Sequence, residues 1–253
     1  MSDTVYVPSG GITGKVKRLA ARRLARAPLS IPSDRKIVSI TFDDFPKSAV
    51  DVGASILEAR DWRGTWYASM GFMGGDTHHG AMFDAGDIER LANAGHEIAC
   101  HSWSHMDAAS APLETFMADA ARNTEELQGL GAQIDSFAYP YGEASPASKT
   151  ALGRRYASLR GVQRGINRHG ADRHLLKAVG IDGGQAGIDT ALQFAKELSD
   201  APGWLIYYVH DIQDDPTPWG CTPEQFNRVL DAIAASGSDV LTVGDAVRAL
   251  ADA

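Results

Sequence analysis

The sequence has little cysteine, no long apolar run and no excess of positive charge. Its 253 residues include two cysteines, which excludes a disulfide framework and a cysteine-based zinc finger. No apolar run reaches the roughly 18 residues that a membrane-spanning helix needs. The formal net charge of −8 argues against binding of nucleic acid. Hydrophobic residues make up 44% of the chain, which suffices for a full core and excludes global disorder.

Positive charge is concentrated at the N-terminus. Eight Lys and Arg residues but only two acidic residues lie within positions 1–36. Apolar residues recur at helical spacing over 14–27, which predicts a short basic amphipathic helix. Such a helix either makes peripheral contact with an anionic membrane or packs on the domain as a solvated helix. No secretory apolar core follows the arginines, so we expect a cytoplasmic protein, which in the first case lies on the cytoplasmic face of a membrane.

From residue 36 onward, short β-type runs alternate with helical stretches, which is typical of a mostly parallel sheet, open or closed into a barrel. The predicted strands are 37–42, 64–70, 97–101, 134–139, 156–160, 176–182, 204–210 and 240–243. The predicted helices lie near 48–60, 84–94, 112–129, 145–153, 188–199, 223–236 and 244–251. We therefore predict a basic N-terminal segment at 1–35 and a single α/β domain at 36–253.

Polar residues recur where the predicted strands end, and this is the edge at which sites assemble in parallel α/β folds. Asp43 and Asp44 follow one strand, His101 ends a second strand, and His210 ends a third. His105 follows His101 by four residues. Two imidazoles and one carboxylate form a three-ligand set for catalytic zinc with a position open for water. The other carboxylate of the Asp pair is then free to act as a base.

Four motifs along the chain carry a resemblance to a known family. They are Thr41-Phe42-Asp43-Asp44, His101-Ser102-Trp103-Ser104-His105, Tyr139-Pro140-Tyr141 and Val209-His210-Asp211. In order and spacing, over about residues 37–250, they resemble the motifs of NodB-homology polysaccharide deacetylases, carbohydrate esterase family 4. The resemblance implies a single distorted (β/α) barrel and one divalent metal ion, with zinc as the expected ion. It also implies hydrolysis of N-acetyl groups, or sometimes O-acetyl groups, on an acetylated glycan.

The resemblance also implies roles for individual residues. The implied metal ligands are Asp44, His101 and His105. Asp43 would be the general base, and His210 would be the general acid that protonates the leaving amine. Tyr141 would donate its backbone N–H to the oxyanion. These roles agree with the chemistry of metal-assisted acyl hydrolysis.

Three positions depart from the family pattern. Phe45 stands where the family has glycine and Tyr207 where it has leucine, so we expect both to contact substrate and to reshape the acyl pocket. Ala138 stands where the family has an arginine that orients the base aspartate. We expect Arg160, or else Arg164, to supply that charge from another strand end. The alternative is that both are surface arginines.

Further residues have two interpretations each. Asp182 either orients His210 or caps a turn with the two glycines that follow it. Trp103 is expected to stack on a sugar face, whereas Trp219 either does the same or anchors a loop.

The leading hypothesis is a metal-dependent N-deacetylase of an amino-sugar polysaccharide, or of its lipid-linked or exopolysaccharide intermediate. One alternative is a metal-dependent hydrolase of a non-sugar amide. The other is a metal- or glycan-binding protein that has kept the fold and lost turnover.

Overall fold

The strands of this computed structural model, which describes residues 11–251, alternate with helices as the sequence predicts. The first ten residues of the predicted N-terminal segment, and residues 252–253, lie outside the described part. The strands are β1 (Pro28–Leu29), β2 (Lys36–Asp43), β3 (Thr65–Ala68), β4 (Asp76–Thr77), β5 (Gly80–Ala81), β6 (Glu97–Cys100), β7 (Ser136–Ala138), β8 (Ser158–Arg160), β9 (Ala171–Asp172), β10 (Val179–Gly180), β11 (Gly203–Val209) and β12 (Asp239–Val240). The α-helices are α1 (Gly11–Arg23), α2 (Ser55–Glu58), α3 (Ala85–Asn93), α4 (Leu113–Gly129), α5 (Pro146–Leu152), α6 (Gly184–Asp200), α7 (Pro223–Ala235) and α8 (Val243–Ala251).

The main sheet is parallel, in the order β10-β11-β2-β3-β6-β7-β8, and β12 also pairs with β2. Strand β2 lies near its centre and pairs with β11 from Gly203↔Lys36 to Val209↔Phe42. Seven of its eight residues are buried, because helices cover one face and the barrel interior covers the other. Because both faces are buried, the residues of β2 before Asp43 are mostly apolar, and the two buried polar residues among them, Ser39 and Thr41, are small.

The sheet curls until its two ends meet. The amide of Leu176 donates to the carbonyl of Leu159 at 2.9 Å, and its own carbonyl accepts from Gly161 at 2.9 Å. These bonds join β8 to the residues that lead into β10. The expectation of a distorted (β/α) barrel is confirmed, and all carboxyl ends of the parallel strands meet at one mouth.

Two helix starts follow the capping signals of the sequence. Asp84 and Asp87 form a reciprocal capping box at the start of α3, and Thr222 and Gln225 form another before Pro223 in α7. Both helices then bury an apolar stripe against the outer face of the sheet. Near the C-terminus, β12 ends at Val240 and does not reach residue 243 as predicted, because α8 already begins at Val243.

The N-terminal helix differs in its limits from the prediction of 14–27, since α1 ends at Arg23. The chain turns at Ala25, which has a positive φ of 49°, and β1 then pairs antiparallel with β9. No helix among residues 11–251 is both long and apolar enough to cross a membrane.

Lys149 of α5 fixes the C-terminal end of α1. Its buried ammonium donates to the carbonyl oxygens of Ala21 at 2.7 Å and Leu24 at 2.9 Å. The same ammonium lies 2.5 Å from a carboxylate oxygen of Asp172 in β9. A cation at the C-terminus of a helix satisfies its last carbonyls and complements its dipole.

Candidate active site

The site lies at the carboxyl end of β2, where two carboxylates are adjacent in sequence but have different partners. Asp43 is the last residue of β2, and Asp44 has a positive φ of 42°. The amide of Asp44 still donates to the carbonyl of Tyr67 at 3.2 Å. An aspartate tolerates this left-handed conformation better than most residues do. The turn separates the two side chains, and both are about 4% exposed.

Asp44 faces the two histidines that follow β6. Its Oδ2 lies 2.8 Å from Nε2 of His105 and 3.9 Å from Nε2 of His101. One ligand atom from each of the three residues lies within 4.8 Å of the others. The loop returns His105 to the site because Ser102 and His105 both have positive φ values, 61° and 53°.

The protonation of these groups suits a cation. Nδ1 of His101 lies 2.8 Å from the carbonyl oxygen of Ala138, so Nδ1 carries the proton and Nε2 keeps its lone pair toward Asp44. Burial lowers the pKa of His101, which favours the neutral imidazole. Burial raises the pKa of the Asp44 carboxyl, but the imidazoles of His105 and His101 outweigh it and hold that pKa well below its usual range.

The environment of one carboxylate oxygen of Asp44 indicates whether a metal ion fits between these three residues. Oδ1 of Asp44 is buried and has no hydrogen-bond partner among the described residues. A buried carboxylate oxygen without a partner is costly unless something positive lies beside it. Two imidazole nitrogens and one carboxylate oxygen form the donor set that zinc and similar divalent ions accept. Asp44, His101 and His105 can therefore hold a divalent cation.

Asp43 is held by Arg160. The guanidinium Nη2 donates to Oδ1 at 2.6 Å and to Oδ2 at 2.5 Å, and Arg160 is fully buried at the end of β8. The guanidinium also lies 4.9 Å from the ring of Tyr67 and 5.6 Å from that of Tyr208. Arg164, the other candidate, is exposed. The charge expected near Asp43 is therefore present, and it comes from Arg160.

His210 lies at the other side of the mouth, just after β11. Its Nδ1 lies 3.2 Å from the carbonyl oxygen of Trp219, and its ring stacks on that of His79 with centroids 4.7 Å apart. Burial lowers the pKa of His210 to about 4, and the imidazole of His79 acts in the same direction. The Asp43 carboxylate opposes this shift. The imidazole is therefore neutral at pH 7.

Asp182 does not contact His210. Among the described residues the imidazole of His210 has the Trp219 carbonyl as its partner, and no hydrogen bond joins Asp182 to His210. Burial raises the pKa of Asp182 to about 6, and Arg164 acts against that shift. The expectation that Asp182 orients His210 is therefore wrong. A backbone carbonyl holds the imidazole instead, and the sequence does not mark such a partner.

Tyr141 lies beside the metal-ligand candidates. It has a left-handed backbone, with φ 58° and ψ 4°, within a 3₁₀ turn at Pro140–Gly142. Its ring meets that of His105 edge-on, with centroids 4.4 Å apart, and 38% of the residue is exposed. The turn after β7 therefore brings a backbone segment next to His105, as the motif order predicts.

Phe45 and Tyr207 do not reach the site. Phe45 is fully buried and packs on Trp66 and Phe83, in the apolar layer between sheet and helices. Tyr207 is fully buried as well, and its hydroxyl donates to the carbonyl of Ala191 in α6 at 2.6 Å. The expectation that these two side chains contact substrate is wrong, because both point away from the barrel interior.

Trp103 anchors its loop instead of offering a free face to a sugar. Its indole N–H donates to Glu126 at 2.9 Å, and the guanidinium of Arg122 lies 3.5 Å from the ring centroid. Gly71 packs against the same ring, since a Cβ at that position would lie 3.2 Å from it. The expectation that Trp103 stacks on a sugar is wrong for this reason.

Two side chains outside the predicted site residues lie at the site, Tyr208 and His79. Tyr208, not Tyr207, shares a face with Thr41 and Asp43, because Tyr208 and Thr41 are register partners. Strand alternation could have identified it. The hairpin of β4 and β5 brings His79 to His210. No spacing rule predicts that second contact, because it depends on the course of a loop.

Comparisons with known proteins identify the family and the fold of this chain. The family model described as polysaccharide deacetylase matches residues 30–157, just over half of the chain. No curated protein matches the sequence. The fold is similar to the chitin deacetylase of the fungal pathogen Colletotrichum lindemuthianum, with a TM-score of 0.62 and 18% identity over 87% of this chain and 92% of that chain.

Two further solved structures share the fold. A family 4 acetyl xylan esterase from Clostridium thermocellum, in complex with a cobalt ion, has a TM-score of 0.56 and 22% identity over 83% of this chain and 89% of that chain. A family 4 pseudoenzyme from Bacillus anthracis has a TM-score of 0.60 and 13% identity over 87% of this chain and 69% of that chain. These likenesses show the fold, and the family match identifies the lineage: the chain belongs to the polysaccharide deacetylase family.

Proposed function

We propose that this protein is a metal-dependent deacetylase that hydrolyses N-acetyl groups of an amino-sugar glycan. One observation carries the proposal: the two adjacent carboxylates have opposite environments. Asp44 faces two imidazoles, whereas Asp43 is held by the guanidinium of Arg160. One carboxylate is therefore suited to ligate a metal and the other to accept a proton.

Asp44, His101 and His105 would hold the divalent cation, and zinc suits two nitrogen ligands and one oxygen ligand. When bound, such a cation lowers the pKa of water and polarises the acyl carbonyl. The orphaned Oδ1 of Asp44 and the free Nε2 of His101 support this assignment.

The remaining steps belong to side chains of the chain itself. Asp43, fixed by the two bonds from Arg160, takes the proton of the attacking water. The backbone N–H of Tyr141 donates to the developing oxyanion, and the left-handed turn beside His105 supports that role. His210 protonates the leaving amine through Nε2, since Nδ1 is directed to the Trp219 carbonyl. Because its pKa is about 4, the imidazole must gain this proton during the reaction, and the proton that Asp43 takes from the water is the one available to it.

The rim of the mouth supports a glycan as substrate. Tyr141 lies beside His105, and Trp219 lies beside His210, with 38% and 37% of each residue exposed. Exposed aromatic rings on either side of a polar site can pack on the apolar faces of sugars. Trp219 thus takes the role that the sequence analysis gave to Trp103.

Acetate release tests this function against its two alternatives. The wild-type protein, loaded with zinc, should release acetate from acetylated chitooligosaccharides. Release from a simple N-acetylated alkylamine but not from the oligosaccharide would instead indicate a hydrolase of non-sugar amides. Stoichiometric metal binding without release from either substrate would indicate a protein that has lost turnover, as in the pseudoenzyme with a similar fold.

The exposed face of α1 supports a membrane partner for this enzyme, and we propose that it contacts an anionic lipid surface. Ala21 is buried against the domain, whereas Val16, Leu19 and Leu24 are 57%, 54% and 55% exposed. Three large aliphatic side chains in α1 and just after its end are thus left without a partner surface among residues 11–251. These exposed side chains support the membrane-contact interpretation over the solvated-helix interpretation.

The charge beside these aliphatic side chains selects anionic lipid as the partner. A cleft of about 560 Å³ lies between α1 and residues 163–177, and its cationic lining residues are Arg22, Arg23, Arg26, Arg168 and Lys177. Cations flanking a small apolar face bind anionic headgroups, with about 1 kcal/mol per cation near the surface. Such attachment suits a lipid-linked or growing polysaccharide as the substrate.

A further inference from the structure

His79 is the one residue of the hairpin Asp76–Ala81 whose side chain is buried. Its neighbours His78 and Gly80 are exposed, whereas His79 is 6% exposed. The hairpin is tied down at its base, since the amide of Met82 donates to the carbonyl of Gly75 at 2.9 Å. The amide of His79 donates to the hydroxyl of Thr77 at 3.1 Å. An otherwise exposed hairpin thus inserts a single imidazole into the protein.

The inserted imidazole lies flat on that of His210. The two ring centroids are 4.7 Å apart, and the ring planes differ by 11°. The indole of Trp219 meets His79 edge-on at 5.6 Å. The imidazole of His210 makes one hydrogen bond with the described residues, from Nδ1 to the Trp219 carbonyl, which also accepts from the His210 backbone amide at 3.2 Å. A single hydrogen bond leaves a ring free to tilt, so the stacked imidazole fixes the orientation that this bond leaves open.

Asp211 in turn lies behind His79. Its Oδ1 lies 3.7 Å from Nδ1 of His79, and this Nδ1 is buried without a hydrogen-bond partner among the described residues. The carboxylate is fully buried and accepts from the backbone amide of Thr217 at 2.9 Å, from the side-chain amide of Gln213 at 2.9 Å and from the hydroxyl of Thr217. It is therefore a rigid anionic support, and it follows His210 directly in sequence.

We propose that His79 is a positioning residue for His210: stacked on one face of the imidazole and supported by Asp211, it aims His210 at the leaving group. This inference rests on the proposed function, in which His210 protonates a leaving amine. The carboxylate support comes from a residue next to His210 and acts through an imidazole from another part of the chain. Misplacement of a catalytic group by about 1 Å can lower the rate on the order of 10²-fold.

Two substrates separate positioning from general structural support. An N-acetylated chitooligosaccharide loses an amine that must be protonated, whereas 4-nitrophenyl acetate loses a phenolate that departs without a proton. His79→Ala should lower kcat on the oligosaccharide by about 10-fold or more, with KM and zinc content unchanged, and should leave turnover of the ester within about twofold. His79→Phe, which keeps a flat ring, should retain more activity than His79→Ala. Asp76→Ala, an exposed substitution in the same hairpin, should match wild type.

Comparison of His79→Ala with His210→Ala separates failure of this inference from failure of the proposed function. If His210→Ala shows the selective loss on the oligosaccharide and His79→Ala does not, the inference is overturned while the proposed function stands. Equal loss on both substrates in His79→Ala would also overturn it, because that indicates a structural role.

A second readout does not depend on turnover. The imidazole resonances of His210, assigned with His210→Gln, should shift and broaden in His79→Ala as the ring current and the fixed orientation are lost. They should be unchanged in Asp76→Ala. Resonances that are the same in His79→Ala and wild type would overturn the inference, whether or not the protein releases acetate.

Discussion

Ala138 and Arg160 are register partners across β7 and β8, so their side chains emerge side by side on the inner face of the barrel. The family resemblance places an arginine at position 138, and here its place is taken by a methyl group. The small side chain leaves room for Arg160, whose guanidinium reaches Asp43 from the next strand. The positive charge therefore comes from position 160, one strand spacing of about 4.8 Å from position 138, and it contacts Asp43.

Removal of this arginine should impair catalysis more than metal binding. Arg160→Ala leaves a buried carboxylate without its partner, which typically costs about 3–5 kcal/mol of stability. Arg160→Lys keeps the charge but loses the paired geometry, so we expect a soluble protein with kcat lowered about 10-fold or more. Kinetics and zinc content measured together check this. Arg164→Ala, an exposed substitution, should have the smaller effect.

Moving the arginine from position 160 to position 138 tests whether either strand can supply the charge beside Asp43. The double variant Ala138→Arg with Arg160→Ala returns the guanidinium to the neighbouring strand. It should recover part of the activity that Arg160→Ala loses, because the target carboxylate is unchanged. A double variant less active than either single variant would show that position 138 cannot serve Asp43.

The histidine ligands should control metal content directly. His101→Ala and His105→Ala should each lose most of the bound zinc and most of the acetate release. The site has three protein ligands, and each variant leaves only two of them to hold the metal. His96→Ala provides a histidine control at the amino end of β6, away from the mouth, where its Nδ1 accepts from the amide of Gly64. Full zinc occupancy in His105→Ala, measured by elemental analysis, would exclude the assigned site.

The half-buried Asp182 predicts a pH-dependent effect on stability. Its pKa is about 6 in the folded protein, above the ordinary 3.8, so the folded state binds this proton more tightly than the unfolded state does. Stability is therefore lost as the pH rises from about 4 to about 6, and the penalty is complete above that range. Asp182→Asn removes the penalty and should stabilise the protein by about 1–2 kcal/mol at pH 8. Denaturation in urea should show no such gain at pH 3.5.

The face of α1 should determine vesicle binding without affecting chemistry. Leu19→Glu and Arg23→Glu place negative charge on an exposed surface, so the fold should tolerate them. We expect each to weaken sedimentation with phosphatidylglycerol vesicles at low salt and to leave turnover of soluble substrate unchanged. Deletion of residues 1–30 should abolish the vesicle binding. Wild-type protein that fails to bind these vesicles at low salt would contradict the membrane proposal.

Most of the framework could be predicted because the strands of the main sheet contain apolar runs, and Asp43, His101 and His210 lie where such runs end. The barrel, the mouth and the convergence of Asp44, His101 and His105 all follow from that rule. Arg160 could be anticipated for the same reason, since it ends β8.

Side-chain direction is what the sequence predicts least well. The motif pattern predicts substrate contacts for Tyr207 and Phe45, whereas the alternation of β11 and the turn at Asp44 send both side chains into the outer core. The motif also predicts a sugar contact for Trp103, but α4 supplies its partners from 19 and 23 residues further along the chain. His79 depends on the path of a hairpin that no apolar pattern marks.

The central claim is that Asp44 binds the metal and Asp43 moves the proton, and one paired measurement tests it. Zinc content and acetate release should be determined side by side for Asp43→Asn and Asp44→Asn. We predict that Asp43→Asn keeps one equivalent of zinc and loses on the order of 10²–10⁴-fold in kcat, whereas Asp44→Asn loses zinc and activity together. Loss of zinc in Asp43→Asn with retention in Asp44→Asn would show that the two roles are exchanged, and near wild-type turnover in Asp43→Asn would contradict the account of the base.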